Sequence, residues 1–512
     1  MIALYHSLHG FSKSKRAILL AFFILSLTLA TIPVNASNPS ADDFAAIDRY
    51  IEQQMGAARI PGLALGIVQG DQIVHLKGFG KADETGRPVT PQTPFVLGST
   101  TKSFTALAIM QLVEAGKVEL DAPVQRYLPW FRVTDPEASA QITIRHLLNQ
   151  TSGLPSPAGT TYSFKERTDQ AALEEQVRAL ANVTLDRPVG ESFEYCNLNY
   201  GMLGLVIERV TGESYEQYIQ ERVFDPLQMN NSFADYQEAQ KHGLAQGYLY
   251  SWSMPKPVDF IYNRTGLPSG YLVSSAEDMS HYLIAQLNGG RYGDVSILSE
   301  AGLAQTHLPA IQATMMGDST SYGMGWFVGE MDGVPAVWHP GGVMSYHSDL
   351  ILAPESGWGI VIIHNANDYT GAPGTEIASG ILNLLVGRQP VSKTRQFPIP
   401  QSVLLAVLIL QVAGIVRSAN MFKRWRSQPE SMPHGKAKTA LSIGLPFVIN
   451  LLWASVCLIA LPSIAGISLF DLRILDIGQE TILSGFLALG WALVRTFLAY
   501  REIRRRAVNV QE

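Results

Sequence analysis

Apolar residues recur at helical spacing from Asp42 onward, at Phe44, Ile47, Ile51 and Met55, and Pro61 follows the run, which predicts a helix. Two short apolar runs come next, residues 63–68 and 72–76, on either side of Gln69-Gly70-Asp71. The Gly-Asp step suits a tight turn, so the pair predicts a β-hairpin. A matching pattern stands far away: residues 348–352 and 359–364 flank Pro354-Glu355-Ser356-Gly357 and lead into a helix-like stretch, 377–386. Between Ser103 and about Leu308 the pattern is mostly helical, with turns such as Ser152-Gly153-Leu154-Pro155. Helix and hairpin at both ends predict an α+β domain: one antiparallel sheet built from both ends and flanked by helices, with a helical subdomain inserted between them.

Three further apolar runs, about 398–416, 439–461 and 481–500, are each long enough to cross about 30 Å of hydrocarbon as a helix. Composition agrees, since a chain that is 47% hydrophobic and 16% charged is apolar for a soluble protein. Arg417, Lys423, Arg424, Arg426, Lys436 and Lys438 separate the first two runs, and Arg501, Arg504, Arg505 and Arg506 follow the third, which puts both regions on the cytoplasmic side. The remaining loop sets Asp471, Asp476 and Glu480 against Arg473, as an outside loop does. Arg495, inside the third run, stands near its inner end and can snorkel. At the other terminus Lys13, Lys15 and Arg16 precede an uncharged run, 17–34, that ends Val34-Asn35-Ala36-Ser37. This reads as an export signal, cleaved after Ala36 or kept as an anchor, and it sends the following segment out of the cytoplasm either way. The expected organisation is a signal at 1–36, a folded domain at 37–389, a proline-marked linker at 390–400 and a membrane domain at 401–512, with the tail cytoplasmic.

A net charge of -6 offers no basic face for nucleic acid, and neither a phosphate-cradling glycine loop nor a spaced Cys/His cluster is present, so no metal or other cofactor is expected. Cys196 and Cys457 lie in a polar stretch and an apolar run, where a disulfide between them is implausible.

Chemistry gathers at Phe95-Val96-Leu97-Gly98-Ser99-Thr100-Thr101-Lys102, followed by Leu107, Met110, Leu112 and Val113 at helical spacing. A helix beginning near Ser99 returns Lys102 to the same face one turn on. A serine hydroxyl needs an adjacent base to be nucleophilic, and a desolvated lysine can lose its proton and serve. The pattern S-x-x-K alone is loose: Ser12 to Lys15 matches it too, among basic residues where no site could be built. Two downstream elements single out Ser99. Tyr195-Cys196-Asn197 offers a phenol to shuttle protons and an amide to bind an amide. His339-Pro340-Gly341-Gly342 precedes the second hairpin, where glycines let a substrate backbone approach an edge strand and an N–H complete an oxyanion hole.

In this order the three elements resemble the serine β-lactamase and penicillin-recognising hydrolase superfamily, closest to its class C β-lactamase and D-aminopeptidase branch. The resemblance spans about Asp42 to Leu385 and extends to Thr143-Ile144-Arg145-His146-Leu147-Leu148, Thr151-Ser152-Gly153-Leu154, Pro188-Val189-Gly190-Glu191 and Tyr322-Gly323-Met324-Gly325-Trp326. It implies Ser99 as the acylated nucleophile, Lys102 and Tyr195 sharing general base and acid work, and Asn197 on the substrate amide. The backbone amides of Ser99 and Gly342 would form the oxyanion hole. His339 and Gly341 would line the substrate strand. Where β-lactamases carry Lys-Thr-Gly this chain has His339-Pro340-Gly341: proline brings neither hydroxyl nor N–H, and histidine is mostly neutral at pH 7, so the usual carboxylate-binding pair is missing. The histidine form looks like peptidase and esterase members. The membrane part resembles that of prodrug-activating peptidases, so the expected partners are a small or acylated peptide substrate and the lipid bilayer. Esterase, weak β-lactamase and a non-turnover penicillin-binding receptor are the alternatives, and the short basic inner loop and tail leave no room for a receptor's output domain. Cys196, where a serine is common, reads as a small filler.

Overall fold

The computed structural model describes residues 41–156, 158, 166–251, 254–367, 374–390, 399–465, 469–472 and 477–509. The export signal, the Ser12 copy of the motif and linker residues 391–398 lie outside them.

Helix α1, Ala41–Ala58, leads into strands β1, Gly62–Gln69, and β2, Gln72–Gly80, so the first helix and hairpin fall where the pattern puts them. From the carboxy-terminal half come the short strands β3, Ile311–Gln312, and β4, Ser321–Tyr322, then β5, Phe327–Met331, β6, Val334–Val343, β7, Tyr346–Ala353, and β8, Trp358–His364. The eight strands form one sheet in the order β2-β1-β8-β7-β6-β5-β4-β3, every neighbouring pair antiparallel. Leu65 faces Ile362 where the two chain ends meet at the β1–β8 seam. Both strands are buried along nearly their whole length, as a sheet covered on both faces must be. One cover is helix Ala276–Leu287, which packs across β1 and β8; another is helix Gly374–Leu385, where Tyr50 of α1 donates to the Glu376 carbonyl at 3.2 Å.

The inserted subdomain is less purely helical than its pattern suggests. Tyr248, Leu249 and Tyr250 alternate into a hairpin, Gly247–Ser251 with Met254–Val258, whose second strand carries Pro255 and Pro257. A prolyl residue has no ladder N–H, which confines such a strand to an edge. At the centre runs helix α2, Thr101–Glu114, buried on all sides as far as Met110. Phe104 of α2 stacks on Tyr282 at 4.0 Å. A helix with no solvent face can hold an amine away from water.

Three helices are long and apolar enough to span a membrane: Gln401–Ser427, Lys436–Ile464 and Gly478–Arg506. Their outward side chains are large and apolar, Leu410, Leu452 and Phe497 among them. The first helix outlasts its apolar run, so Arg417, Lys423, Arg424 and Arg426 stand on helix rather than in a loop. Arg495 turns inward instead of snorkelling. It is buried between the helices, where Nε donates to Ser418 Oγ at 3.0 Å and Nη2 to the Ser442 carbonyl at 2.7 Å. Pro446 has no N–H for the carbonyl four residues back, so the guanidinium supplies the donor the helix lacks.

Candidate active site

Ser99 stands where a short 3-10 turn, Gly98–Thr100, runs into α2. Lys102 returns to it one turn later, with Nζ 3.1 Å from Ser99 Oγ. The same nitrogen lies 2.8 Å from Asn197 Oδ1 and 2.7 Å from the Ser269 carbonyl oxygen. Those two oxygens can only accept, so each takes an N–H, whereas a hydroxyl can also donate. A neutral amine has two N–H groups and one lone pair. In that form the two shorter contacts use the protons, which leaves the lone pair for the Ser99 O–H.

Burial favours that state. Lys102 is fully enclosed, and desolvation holds its pKa well below the ordinary lysine value against a smaller opposing pull from the Cys196 thiol. The ring of Tyr195 lies 4.8 Å from Nζ and that of Tyr200 5.6 Å. Aromatic faces attract a cation, so an amine that burial biases toward the neutral form can still take up a proton.

The Tyr195-Cys196-Asn197 segment enters helix α3, Asn197–Thr211, and a turn around Gln150 clamps it. Gln150 has a left-handed backbone, φ 59°. Its Oε1 accepts from the Cys196 N–H at 3.0 Å and from Asn199 Nδ2 at 2.5 Å, and its carbonyl accepts from the Glu194 N–H at 2.9 Å. Ser152 donates to Asn199 Oδ1 at 2.7 Å, and the Ser156 hydroxyl donates to the Tyr195 carbonyl. The Thr151-Ser152-Gly153-Leu154 motif is thus part of the mount for Tyr195 and Asn197. Cys196 is wholly buried with its thiol pushed up to about 11, as a filler would be.

Strand β6 pairs with β5 only from Val334 to Trp338, so residues 339–343 have a partner on the β7 side alone. The motif at 339–342 is therefore in the sheet, not ahead of it, and only its second half forms an edge. Gly98, at φ +63°, meets this edge: a Cβ there would stand 2.7 Å from both Gly341 C and Gly342 N. A Cβ on Gly341 would collide with the Leu97 carbonyl oxygen. Bare backbone on both sides lets the Gly98–Thr100 turn and the strand touch, which brings Ser99 beside Gly342. Ser348 of β7 locks the junction, bonding Thr100 Oγ1 at 2.9 Å and donating to the Leu97 carbonyl.

His339 and Gly341 are buried in the strand, while Gly342 beside them is exposed. His339 is 1% exposed, with Nδ1 2.7 Å from the Pro340 carbonyl and Nε2 3.3 Å from the Tyr322 hydroxyl. Donation from Nδ1–H and acceptance at Nε2 describe a neutral ring, and burial, reinforced by Lys102, holds its pKa down to about 3. It supports the Tyr195 ring from below, 6.4 Å between centroids, and cannot supply the charge of a β-lactamase lysine. Gly325, at φ +86°, lets the Tyr322–Trp326 turn rest on α2: a Cβ there would lie 2.9 Å from the Lys102 carbonyl.

The Ser269 carbonyl has no side-chain signature, so sequence reasoning misses it. Its mount is visible in the structure. Thr105 donates to the Pro268 carbonyl at 2.7 Å, and Arg264, only 2% exposed, forks onto Glu216 at 2.7 and 2.8 Å and reaches Glu208 at 2.5 Å. The charge-assisted bonds hold the turn that aims Ser269 at Lys102.

The family model described as Beta-lactamase matches residues 47–379. Protein flp of Staphylococcus aureus (strain MRSA252) is 30% identical over 418 residues, 80% of this chain and 79% of the relative. Penicillin-binding protein 4 of Amycolatopsis lactamdurans is 32% identical over 319 residues, 61% of this chain and 82% of the relative. Among solved structures, the octameric penicillin-binding protein homologue from Pyrococcus abyssi superimposes with a TM-score of 0.61 at 31% identity, over 71% of this chain and 81% of that one.

Proposed function

The chain belongs to the beta-lactamase family of serine hydrolases, and from that premise we propose that it is a membrane-anchored, extracytoplasmic peptidase that acts through a Ser99 acyl-enzyme on peptides containing D-amino acids or an acyl group. The observation that carries the reading is the Lys102 amine, desolvated and committed to two acceptor oxygens, with its remaining valence on Ser99 Oγ. In the forward step the Ser99 proton passes to Lys102 Nζ while Oγ bonds to the substrate carbonyl carbon. The carbonyl oxygen turns negative between the Ser99 and Gly342 N–H groups, where each donor is worth about 3 to 4 kcal/mol. The proton then leaves Lys102 for the departing nitrogen, with Tyr195 over the same amine to relay it, and water releases the acyl group by the reverse path. Asn197 orients the lysine and presents its amide to the substrate.

The neutral, buried His339 supports amide or ester substrates over β-lactams, whose carboxylate would find no cation at this strand. Three apolar helices support tethering beside the bilayer, where an acylated substrate partitions at about 0.8 kcal/mol per buried methylene. The purified full-length protein should turn over N-acyl-D-amino-acid amides continuously, with nitrocefin poorer in kcat/KM by about tenfold to a hundredfold for each charge-assisted hydrogen bond it lacks. Nitrocefin hydrolysis at the higher rate would make it a β-lactamase. A single stoichiometric burst on every substrate would make it a receptor.

A further inference from the structure

Beyond the nucleophile cleft, a cavity of about 600 Å³ is walled by Tyr236, Phe260 and Tyr346 and edged by Asp83, Glu166 and Asp259. The rings are organised around it: Tyr236 lies 5.5 Å from Phe260 and stacks on Tyr262 at 5.3 Å, and Phe260 meets Tyr346 edge-on at 5.8 Å. Among the described residues, no Lys, Arg or His belongs to the lining. Asp83 is already committed, bound to Arg87 Nε at 2.8 Å and to Thr85. Asp259 and Glu166 are exposed and have no cationic partner among the described residues. Their field converges on one wall, since the Tyr236 hydroxyl is pushed up to about 12 by burial first and by these two carboxylates next. Aromatic faces with two uncompensated carboxylates at the mouth favour an ammonium group.

The cavity adjoins the proposed reaction centre. Tyr346 pairs with Val343, the residue after Gly342, and lies two residues along β7 from Ser348, which bonds the nucleophile turn. On the other side Tyr271 packs edge-on against Phe260 at 5.0 Å and follows Gly270, where a Cβ would stand 3.6 Å from Gly98 C. A peptide laid along the free edge of β6 in the sheet's antiparallel sense, with its reactive carbonyl at Gly342, sends its acyl side past Val343 toward this cavity and its leaving group toward His339. We propose that the cavity is a specificity subsite for a cationic amine on the acyl side of the substrate, such as a lysine-type side chain. The inference rests on the reading of Ser99 as nucleophile and adds a residue-level selectivity to it.

The test compares ethyl esters of N-acetyl-lysine and N-acetyl-norleucine, both enantiomers, on full-length protein and on an Asp259→Asn, Glu166→Gln double variant. These exposed residues make no side-chain hydrogen bond or ion pair among the described residues, so the variant should keep its melting temperature. The wild type should favour the lysyl ester by about tenfold or more in kcat/KM. The variant should lose that preference through KM on the lysyl ester, with norleucyl hydrolysis unchanged. Equal use of both esters, or a preference that survives in the variant, would overturn the subsite while leaving the nucleophile intact. If neither ester turned over, the nucleophile reading would fail instead. Saturation-transfer NMR with n-butylammonium on the Ser99→Ala protein then reads the cavity alone: a signal abolished by the double substitution supports it, and no signal or an unaltered one overturns it.

Discussion

Replacing Gly98 by alanine should disable the site without unfolding the domain. Two costs can be worked from the structure. The left-handed backbone at φ +63° costs an alanine roughly 1 to 2 kcal/mol, a loss of stability. The new Cβ would stand 2.7 Å from Gly341 C and Gly342 N, so strand and turn must separate by about 0.8 Å to reach an ordinary contact of about 3.5 Å. Hole donors act only within about 2.7 to 3.1 Å of the oxyanion, so that shift forfeits about one donor, a loss of roughly 10² to 10³ in kcat. Gly116→Ala is the matched control: it has φ +67° with nothing within 4 Å of the added carbon, and it lies at the far end of α2. Steady-state kinetics and thermal melts on both variants separate the two costs. Both should lose a few degrees of Tm, and only Gly98→Ala should lose kcat. If Gly98→Ala kept kcat within about threefold of the Gly116 variant, the contact between nucleophile turn and oxyanion strand would not matter to catalysis.

Other consequences follow from the same geometry. Because burial lowers the Lys102 pKa, the amine is neutral above a value well under that of ordinary lysine; kcat/KM should rise with pH to a plateau reached well below pH 10.5, while Lys102→Arg, protonated throughout, should be inactive at every pH. A limb that appears only at the ordinary lysine pKa would contradict the desolvated amine. Arg264→Ala leaves Glu208 and Glu216 unpaired and should cost about 3 to 5 kcal/mol in denaturant melts, with kcat falling as the Ser269 carbonyl loses its mount; a variant of native stability would show the triad to be ornamental. A reporter fused near Ser427 should be cytoplasmic and one near Asp476 external, and reversal of the two would overturn the three-span topology.

The parts of the fold that sequence conveys best are those set by local period: α1 and its hairpin, β7 and β8, and the three apolar helices all coincide with runs of the expected spacing. Strand β6 is harder, because Pro340, Gly341 and Gly342 read as loop residues while the register with β7 makes them strand. The hairpin at Gly247–Ser251 and Met254–Val258 is hidden in the same way by its prolines. In the site, helical spacing pairs Ser99 with Lys102 once the downstream elements have singled out that copy of the motif, and Tyr195 and Asn197 do arrive at that lysine. Gln150 and the Ser269 carbonyl are not legible, since one acts through an unusual backbone conformation and the other through a backbone atom. Arg495 shows the limit of a one-dimensional membrane reading: the charge stands near the inner end of its apolar run, as snorkelling requires, but the carbonyl orphaned by Pro446 draws it inward.

The central claim is that Ser99 becomes acylated during turnover. Full-length protein mixed with an N-acyl-D-amino-acid ester, quenched in acid within the first turnover and again in the steady state, can be digested and the acyl mass located by peptide mass spectrometry. The account predicts the adduct on the peptide carrying Ser99 at both times, while product accumulates far beyond one equivalent, and neither adduct nor product with Ser99→Ala. An adduct on another residue, or sustained turnover by Ser99→Ala, would contradict it.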